Sequence, residues 1–155
     1  MNEIAQRTQD LLRNMGYKNK VLEFTEPTKT ARDAAERVNC TIAQIVKSLV
    51  FRSVSSNSGI LVLTSGANHV DLKKLQKIIG EKVEIASASF VRENTGFDIG
   101  GIPPIGLEGK FFKFIDEDLV SHESLWVSAG TPNSVFEVSA RDLIAMTNAR
   151  VVKIK

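Results

Sequence analysis

The sequence predicts an α/β domain built on a mixed, mainly antiparallel sheet with helices packed around it. Three observations lead there. Apolar period-two runs and capped helical stretches interleave irregularly along 155 residues. Several connections are too short for the crossover that joins parallel strands. No strand leads into G-x-G-x-x-G or a P-loop lysine motif, the marks of the commonest doubly wound nucleotide-binding folds.

The elements follow in order. Ile4, Leu11, Leu12 and Met15 share one helical face and Gly16 is a natural stop, giving a first helix from about Glu3 to Met15. VLEF at 21–24 is a short strand ended by Pro27. Thr30-x-x-Asp33 opens a helix to about Val38. Thr41-x-x-Gln44 is a cleaner capping box and opens a short helix carrying Ile42, Ile45 and Val46. KSLVFRSV at 47–54 and ILVLT at 60–64 are strands joined by a hairpin turn at SSNSG. Asp71 caps a helix containing Leu72, Leu75, Ile78 and Ile79, which Gly80 ends. VEIA at 83–86 is a strand, and SASFVRENTG a short helix. KFFKFID, LWVSAG and SVFEVS supply three more strands. Ser139-x-x-Asp142 caps a last helix to about Asn148, and RVVKIK closes as a strand. No internal repeat appears, so residues 1–155 read as one domain with the helix at 1–16 inside it.

Composition narrows the function classes. Hydrophobic content of 43% and charged content of 25% are ordinary for a globular domain, and a net charge of +2 neither indicates nor excludes nucleic acid. Cys40 is the only cysteine, which rules out an intramolecular disulfide and a C-x-x-C metal site. His69 and His122 lie far apart in polar surroundings, so no metal site is expected and both read as surface residues. Cys40 reads as packing, and no Ser-His-Asp order or nucleophile elbow is visible. The amphipathic N-terminus lacks a signal-peptide apolar stretch and no segment reaches the ~20 apolar residues of a membrane span, so a cytoplasmic, reducing location is expected.

Residues Gly96 to Gly109 read GFDIGGIPPIGLEG and hold five of the ten glycines and two of the four prolines. Glycine lets backbone approach a ligand closely, and proline stiffens the same loop. Phe97, Ile99, Ile102, Ile105 and Leu107 make it a packed loop rather than a polar linker. Rigid exposed amides suit an anion or a developing oxyanion; a structural turn without chemistry is the other reading. Lys47 is the second candidate. Period two puts it on one face with Leu49 and Phe51, where a lysine must snorkel, pair or line a cavity; alternatively it is a solvated helix end. Thr64, Ser65 and the amides around Gly66 could face a ligand or merely join strand to helix. SAGTPN at 128–133, with Gly130 and Pro132, is a tight turn.

Together, IVKSLVF at 45–51, LTSGANHVDLKKL at 63–75, TGFDIGGIPPIG at 95–106 and VSAGTPN at 127–133 resemble the YbaK-like deacylases, freestanding relatives of the editing domain inserted in bacterial prolyl-tRNA synthetases. The likeness runs from about Thr30 to Lys155. Its most specific marks are the lysine after the short helix and the G-x-x-P-x-G loop of Gly101, Pro104 and Gly106.

The resemblance implies a partly barrel-like sheet and hydrolysis of the ester of a mischarged aminoacyl-tRNA, with no metal or organic cofactor. It implies as partners the 3′ acceptor end of tRNA and, for some relatives, a synthetase; no membrane is implied. Lys47 matches the essential lysine, and Gly101 with the rest of the loop lies beside the aminoacyl–adenosine end. Ile45, Leu49, Thr64, Ser65, Gly66, Gly100, Ile102, Pro104, Gly106, Gly130 and Val135 are the expected substrate-binding positions. Some cysteine-type members carry an acidic residue where Val135 stands, so a small apolar amino acid, alanine before serine, threonine or cysteine, is expected. The rival class is a non-catalytic module that binds the tRNA 3′ end or a synthetase. A small-molecule esterase or amidase would want a nucleophile that the sequence does not offer.

Overall fold

The computed structural model describes all 155 residues, Met1–Lys155. The chain runs α1 (Glu3–Asn14), β1 (Val21–Glu23), α2 (Ala31–Val38), a 3-10 turn (Ile42–Gln44), β2 (Ile45–Ser53), β3 (Gly59–Ser65), α3 (Leu72–Ile79), β4 (Val83–Ile85), α4 (Ala88–Thr95), β5 (Phe111–Asp116), a second 3-10 turn (Glu117–Ser121), β6 (Leu125–Ser128), β7 (Ser134–Val138), α5 (Ala140–Thr147) and β8 (Arg150–Val152). The eight strands form one sheet in the order β1-β7-β6-β2-β3-β5-β8, with β4 beside β2. The β1–β7, β2–β3, β2–β4 and β6–β7 pairs are antiparallel, and β2–β6, β3–β5 and β5–β8 are parallel. The expected mixed α/β class is therefore found. No helix is long and apolar enough to cross a membrane.

Local chemistry explains the helix ends. Thr30, Asp71, Ser87 and Ser139 each accept a backbone N–H of the first turn of the helix they precede. Gly80 and Gly96 end α3 and α4 in the left-handed conformation, and Asn39 and Asn148 do the same for α2 and α5. One expectation changes. The short helix at 41–46 is only a 3-10 turn over Ile42–Gln44, and Ile45 and Val46 belong to β2. Parallel pairing of Ile45 with Trp126 and Val46 with Val127 extends the strand backwards. The strand ladder outweighs the local capping signal, and Lys47 becomes the third residue of a strand rather than a helix end.

The two faces of the sheet bury different cores. One face carries Val46, Val50, Leu61, Leu63, Ile115, Leu125, Val127, Phe136 and Val138, under α1, α4, α5 and the Gly/Pro loop. The other carries two separate clusters. Phe51, Ile60, Val62 and Phe114 pack under Leu75 of α3, and Ile45 packs with Trp126 under Ala34 and Ala35 of α2. Between those two apolar clusters the sheet is polar, and there Lys47 emerges.

Helix α1 packs into the large core. Ala5 and Leu12 are fully buried in the large core. Gln9 Oε1 accepts from the Val21 N–H at 2.8 Å, and its amide donates to the Asn19 carbonyl at 2.9 Å. Leu12→Ala is therefore expected to destabilise the whole fold by about 2–5 kcal/mol, in one cooperative urea transition. A separate, earlier melting of α1 would contradict this.

Candidate functional site

The site is a row of residues across the sheet. Lys47 of β2 stands opposite Thr64 of β3. The β3–β5 register, Leu63 with Ile115, carries Thr64 level with Asp116, and the Thr64 hydroxyl donates to Asp116 Oδ2 at 3.1 Å. On the other side, the β2–β6 pairing ends at Val46 with Val127, and Lys47 and Ser128 are the next residues of their strands, on the same face. Ser128 in turn pairs with Val135 of β7. Strand alternation puts the side chains of Asp116, Thr64, Lys47, Ser128 and Val135 on one face of the sheet.

Asp116 is fully buried. Its carboxylate accepts from Thr64, from the Ser65 N–H at 3.1 Å, from the Asn68 side-chain amide at 2.8 Å and from the Asp118 N–H at 2.9 Å. The Asn68 amide also donates to Asp118 at 2.8 Å, and Lys155 pairs with that carboxylate at 2.9 Å. The Lys155 hydrogen bond and then that of Asn68 hold the Asp118 carboxyl below the usual carboxylate value. Asn68 thus has its side chain clamped between two acids, and its carbonyl accepts from Lys47 Nζ at 2.6 Å. Burial pushes the Lys47 ammonium below the ordinary lysine value of 10.5, and the charge of Asp116 opposes that shift. Lys47 is a half-buried cation with a fixed direction.

The Gly/Pro loop reaches the same row from the other end. Ser128 Oγ donates to the Gly100 carbonyl at 3.4 Å, a long contact. Gly101 lies flat on the turn after β6: a Cβ there would stand 2.8 Å from the Thr131 carbonyl carbon. That turn is itself held down. Asn133 exchanges hydrogen bonds with Phe24 at 2.7 and 2.8 Å, and Thr131 Oγ1 donates to Ser134 Oγ at 2.6 Å. The Gly101 N–H donates to the Asp98 carbonyl at 3.2 Å. Gly100, at φ +92° and exposed, has open space around it, and its N–H has no acceptor within the chain.

The remaining expected positions separate. Val135 is buried at the end of the row. Leu49 packs against the α3 cluster, and Ile45 sits in the α2 cluster beside Trp126. Ser65 donates to the Ala43 carbonyl at 2.8 Å, and Gly66 allows the following turn to press on the Ile42 carbonyl, where a Cβ would come within 2.5 Å. Ile102 and Pro104 are buried beneath the loop, Ile102 in the large core. Gly106 and Gly130 face Leu11 and Ile4 of α1. These last four shape the loop from behind. A surface hollow of about 670 Å³ lies along α3 and not beside Lys47.

Asn68, Asp116 and Ser128 were not singled out from sequence. Asp116 had one readable sign, a carboxylate ending the apolar run FFKFID. Other candidates drop away. Burial, helped by Glu137, pushes the Cys40 thiol up and so disfavours a thiolate nucleophile. His69 is exposed, and no group of three His, Cys, Asp or Glu is placed to hold a metal.

Residues 25–146 match the family described as the aminoacyl-tRNA editing domain. The chain is 31% identical over 133 residues to the uncharacterized protein YwhH of Bacillus subtilis, covering 86% of this chain and 84% of that one. It is 29% identical to EbsC of Enterococcus faecalis, described as a candidate Cys-tRNA(Pro)/Cys-tRNA(Cys) deacylase, covering 89% and 84%. It is 27% identical over 124 residues to a proline–tRNA ligase of Thermoanaerobacter, 78% of this chain but only 21% of the ligase. A crystal structure described as a candidate trans-editing enzyme for prolyl-tRNA synthetase superposes with a TM-score of 0.95 at 38% identity, over 100% of this chain and 98% of that one.

Asp116→Ala is expected to strip four donors of their buried acceptor and to destabilise the fold by about 3–5 kcal/mol, read from the urea midpoint. A loss below about 1 kcal/mol would mean that the carboxylate does not anchor the row.

Proposed function

The chain belongs to the aminoacyl-tRNA editing domain family, and on that premise we propose that it hydrolyses the ester of mischarged aminoacyl-tRNA carrying a small amino acid, alanine first. The observation that carries the reading is the half-buried Lys47 ammonium, aimed by the Asn68 carbonyl and standing in one row with the serine that reaches the Gly100 loop.

An aminoacyl ester is already activated, so the protein needs no nucleophile of its own. Water adds to the ester carbonyl carbon and the carbonyl oxygen takes up negative charge. The tetrahedral intermediate then collapses and the bond to the ribose oxygen breaks; that oxygen takes one proton of the added water to become the ribose hydroxyl, and the other proton passes to solvent. The amino acid departs as its carboxylate. Catalysis is then placement and electrostatics. Lys47 supplies positive charge to the developing oxyanion or to the adjoining phosphate. The unpaired Gly100 N–H supplies a second donor, and Gly101 holds that amide in place by lying against Thr131. The substrate's free ribose hydroxyl helps to orient the water.

Selectivity follows from the far end of the row. Val135 offers an apolar wall and no hydrogen-bonding group, so it cannot strongly favour a thiol or a hydroxyl. A tight apolar pocket excludes by size, since overpacking costs about 1–3 kcal/mol. The proline ring is thereby spared, which fits the relatedness to domains within proline–tRNA ligases. The name of the Enterococcus relative points to cysteine instead, and one assay separates these readings. A panel of alanyl-, seryl-, threonyl-, cysteinyl- and prolyl-esters on one tRNA body should give alanine the highest kcat/KM and leave the prolyl ester intact. Cysteine ahead by more than about tenfold, or 1.4 kcal/mol, rejects the apolar pocket. Rapid prolyl hydrolysis rejects editing. No hydrolysis of any member, with tRNA still bound, leaves a binding module.

Lys47→Ala is expected to lower kcat/KM at least about tenfold in a folded protein, while Lys47→Arg retains part of the activity. The protonated lysine is the active form. Enzymatic turnover above the uncatalysed rate should therefore fall as pH rises through the Lys47 pKa, at a pH below the ordinary 10.5. Unchanged turnover in Lys47→Ala, or a profile identical in both, would remove Lys47 from the chemistry.

A further inference from the structure

Helix α3 carries charge that folding does not explain. Lys73 and Lys74 occupy its first turn, which holds no acidic residue, so both oppose the helix dipole. Lys73 and Lys77 lie one turn apart, where like charges repel. With Lys82, these residues line a hollow of about 670 Å³ whose other walls are Gln76, Gly80 and Glu81, with no apolar residue. Lys73, Lys77 and Lys82 are exposed.

Glu81 puts one carboxylate in the hollow, but no nearby acid forms an ion pair with these lysines. Glu81 accepts hydroxyls from Ser53, from Ser55 at 2.9 Å and from Ser56 at 2.7 Å. Asp71 is occupied capping the helix, and Glu84 pairs with Arg52. None of the four side-chain ion pairs of the protein includes a lysine of this hollow. Lys74 alone is committed, donating to the Lys155 carbonyl. Three exposed ammonium groups without an ion pair therefore share one concave face, against a net charge of only +2 for the whole chain.

The position is informative. Asn68, which aims Lys47, precedes the helix cap Asp71 by three residues, so the chain passes from the Lys47 contact straight into α3. Eight helical residues span about 12 Å, so the lysine face is long enough to meet more than one phosphate of a strand leading from the row. We infer that the α3 hollow of Lys73, Lys77 and Lys82 is a docking surface for the phosphodiester backbone of RNA, taking the acceptor stem whose aminoacylated end lies at Lys47. The contact is to backbone and shape, without base readout. It rests on the editing reading for the identity of the RNA, while the surface itself is tested without hydrolysis.

The test measures binding of uncharged tRNA by fluorescence anisotropy between 50 and 300 mM potassium chloride (roughly the range where counterion release is resolved). The variant is Lys73→Gln/Lys77→Gln/Lys82→Gln. The comparison is Lys18→Gln/Lys20→Gln/Lys110→Gln, which removes the same charge from elsewhere. The α3 variant should bind at least about tenfold more weakly, with a log–log salt slope smaller by roughly two to three. The comparison variant should bind nearly as the wild type does. Unchanged affinity and slope in the α3 variant, or equal losses in both, overturns the proposal. Lysine-dependent binding by a protein that hydrolyses no ester would sustain this surface and sink the editing reading. Hydrolysis that ignores the α3 lysines in both KM and salt response would do the reverse.

Discussion

The buried carboxylate of Asp116 is the constraint on which the site depends. A fully buried anion is costly unless its oxygens are satisfied, and here four donors from three segments converge on it. Those donors fix the end of β3, the turn after it and the 3-10 turn after β5. Asn68 passes the constraint on, because its amide is held by two acids while its carbonyl holds the Lys47 ammonium. A flexible side chain thereby acquires one direction. Pre-organisation of this kind lets a charge act on a transition state without reorganising at the moment of reaction.

The sheet topology supplies the opening. Strand β2 pairs with β6 at Ile45 and Val46 and with β4 from Phe51 to Ser53 on the same edge. Between those contacts the edge is released, and the outer core divides into a part under α2 and a part under α3. Lys47 leaves the sheet in that division. The Gly/Pro loop closes the opposite end because Gly101 can lie on backbone that any side chain would push away.

Much of the fold was legible in the sequence, and the reasons are local. The caps at Thr30, Asp71 and Ser139, the stop at Gly80 and the turn at SSNSG all fall where their side chains and backbone freedom require. The stretch at 41–46 was not legible, since a capping box announces a helix and only pairing with β6 and with the end of β3 turns Ile45 and Val46 into sheet. The site was half legible. Lys47 showed through its breach of period two, and the loop through its glycines and prolines. Asp116, Asn68 and Ser128 did not show, because each is an ordinary polar residue until pairing across β2, β3, β5 and β6 sets it in the row. The loop's donor also needed the structure: Gly101 is engaged with Asp98, and its neighbour Gly100 is free.

The most direct measurement of the central claim is a crystal structure with a non-hydrolysable 3′-amide analogue of alanyl-adenosine. The account predicts the amide carbonyl oxygen within hydrogen-bond distance, about 2.7–3.2 Å, of Lys47 Nζ or the Gly100 N–H, with the alanyl methyl toward Val135. An analogue seated away from Lys47, for example in the groove between α1 and Gly106, with the Lys47–Asn68 contact undisturbed, would contradict it.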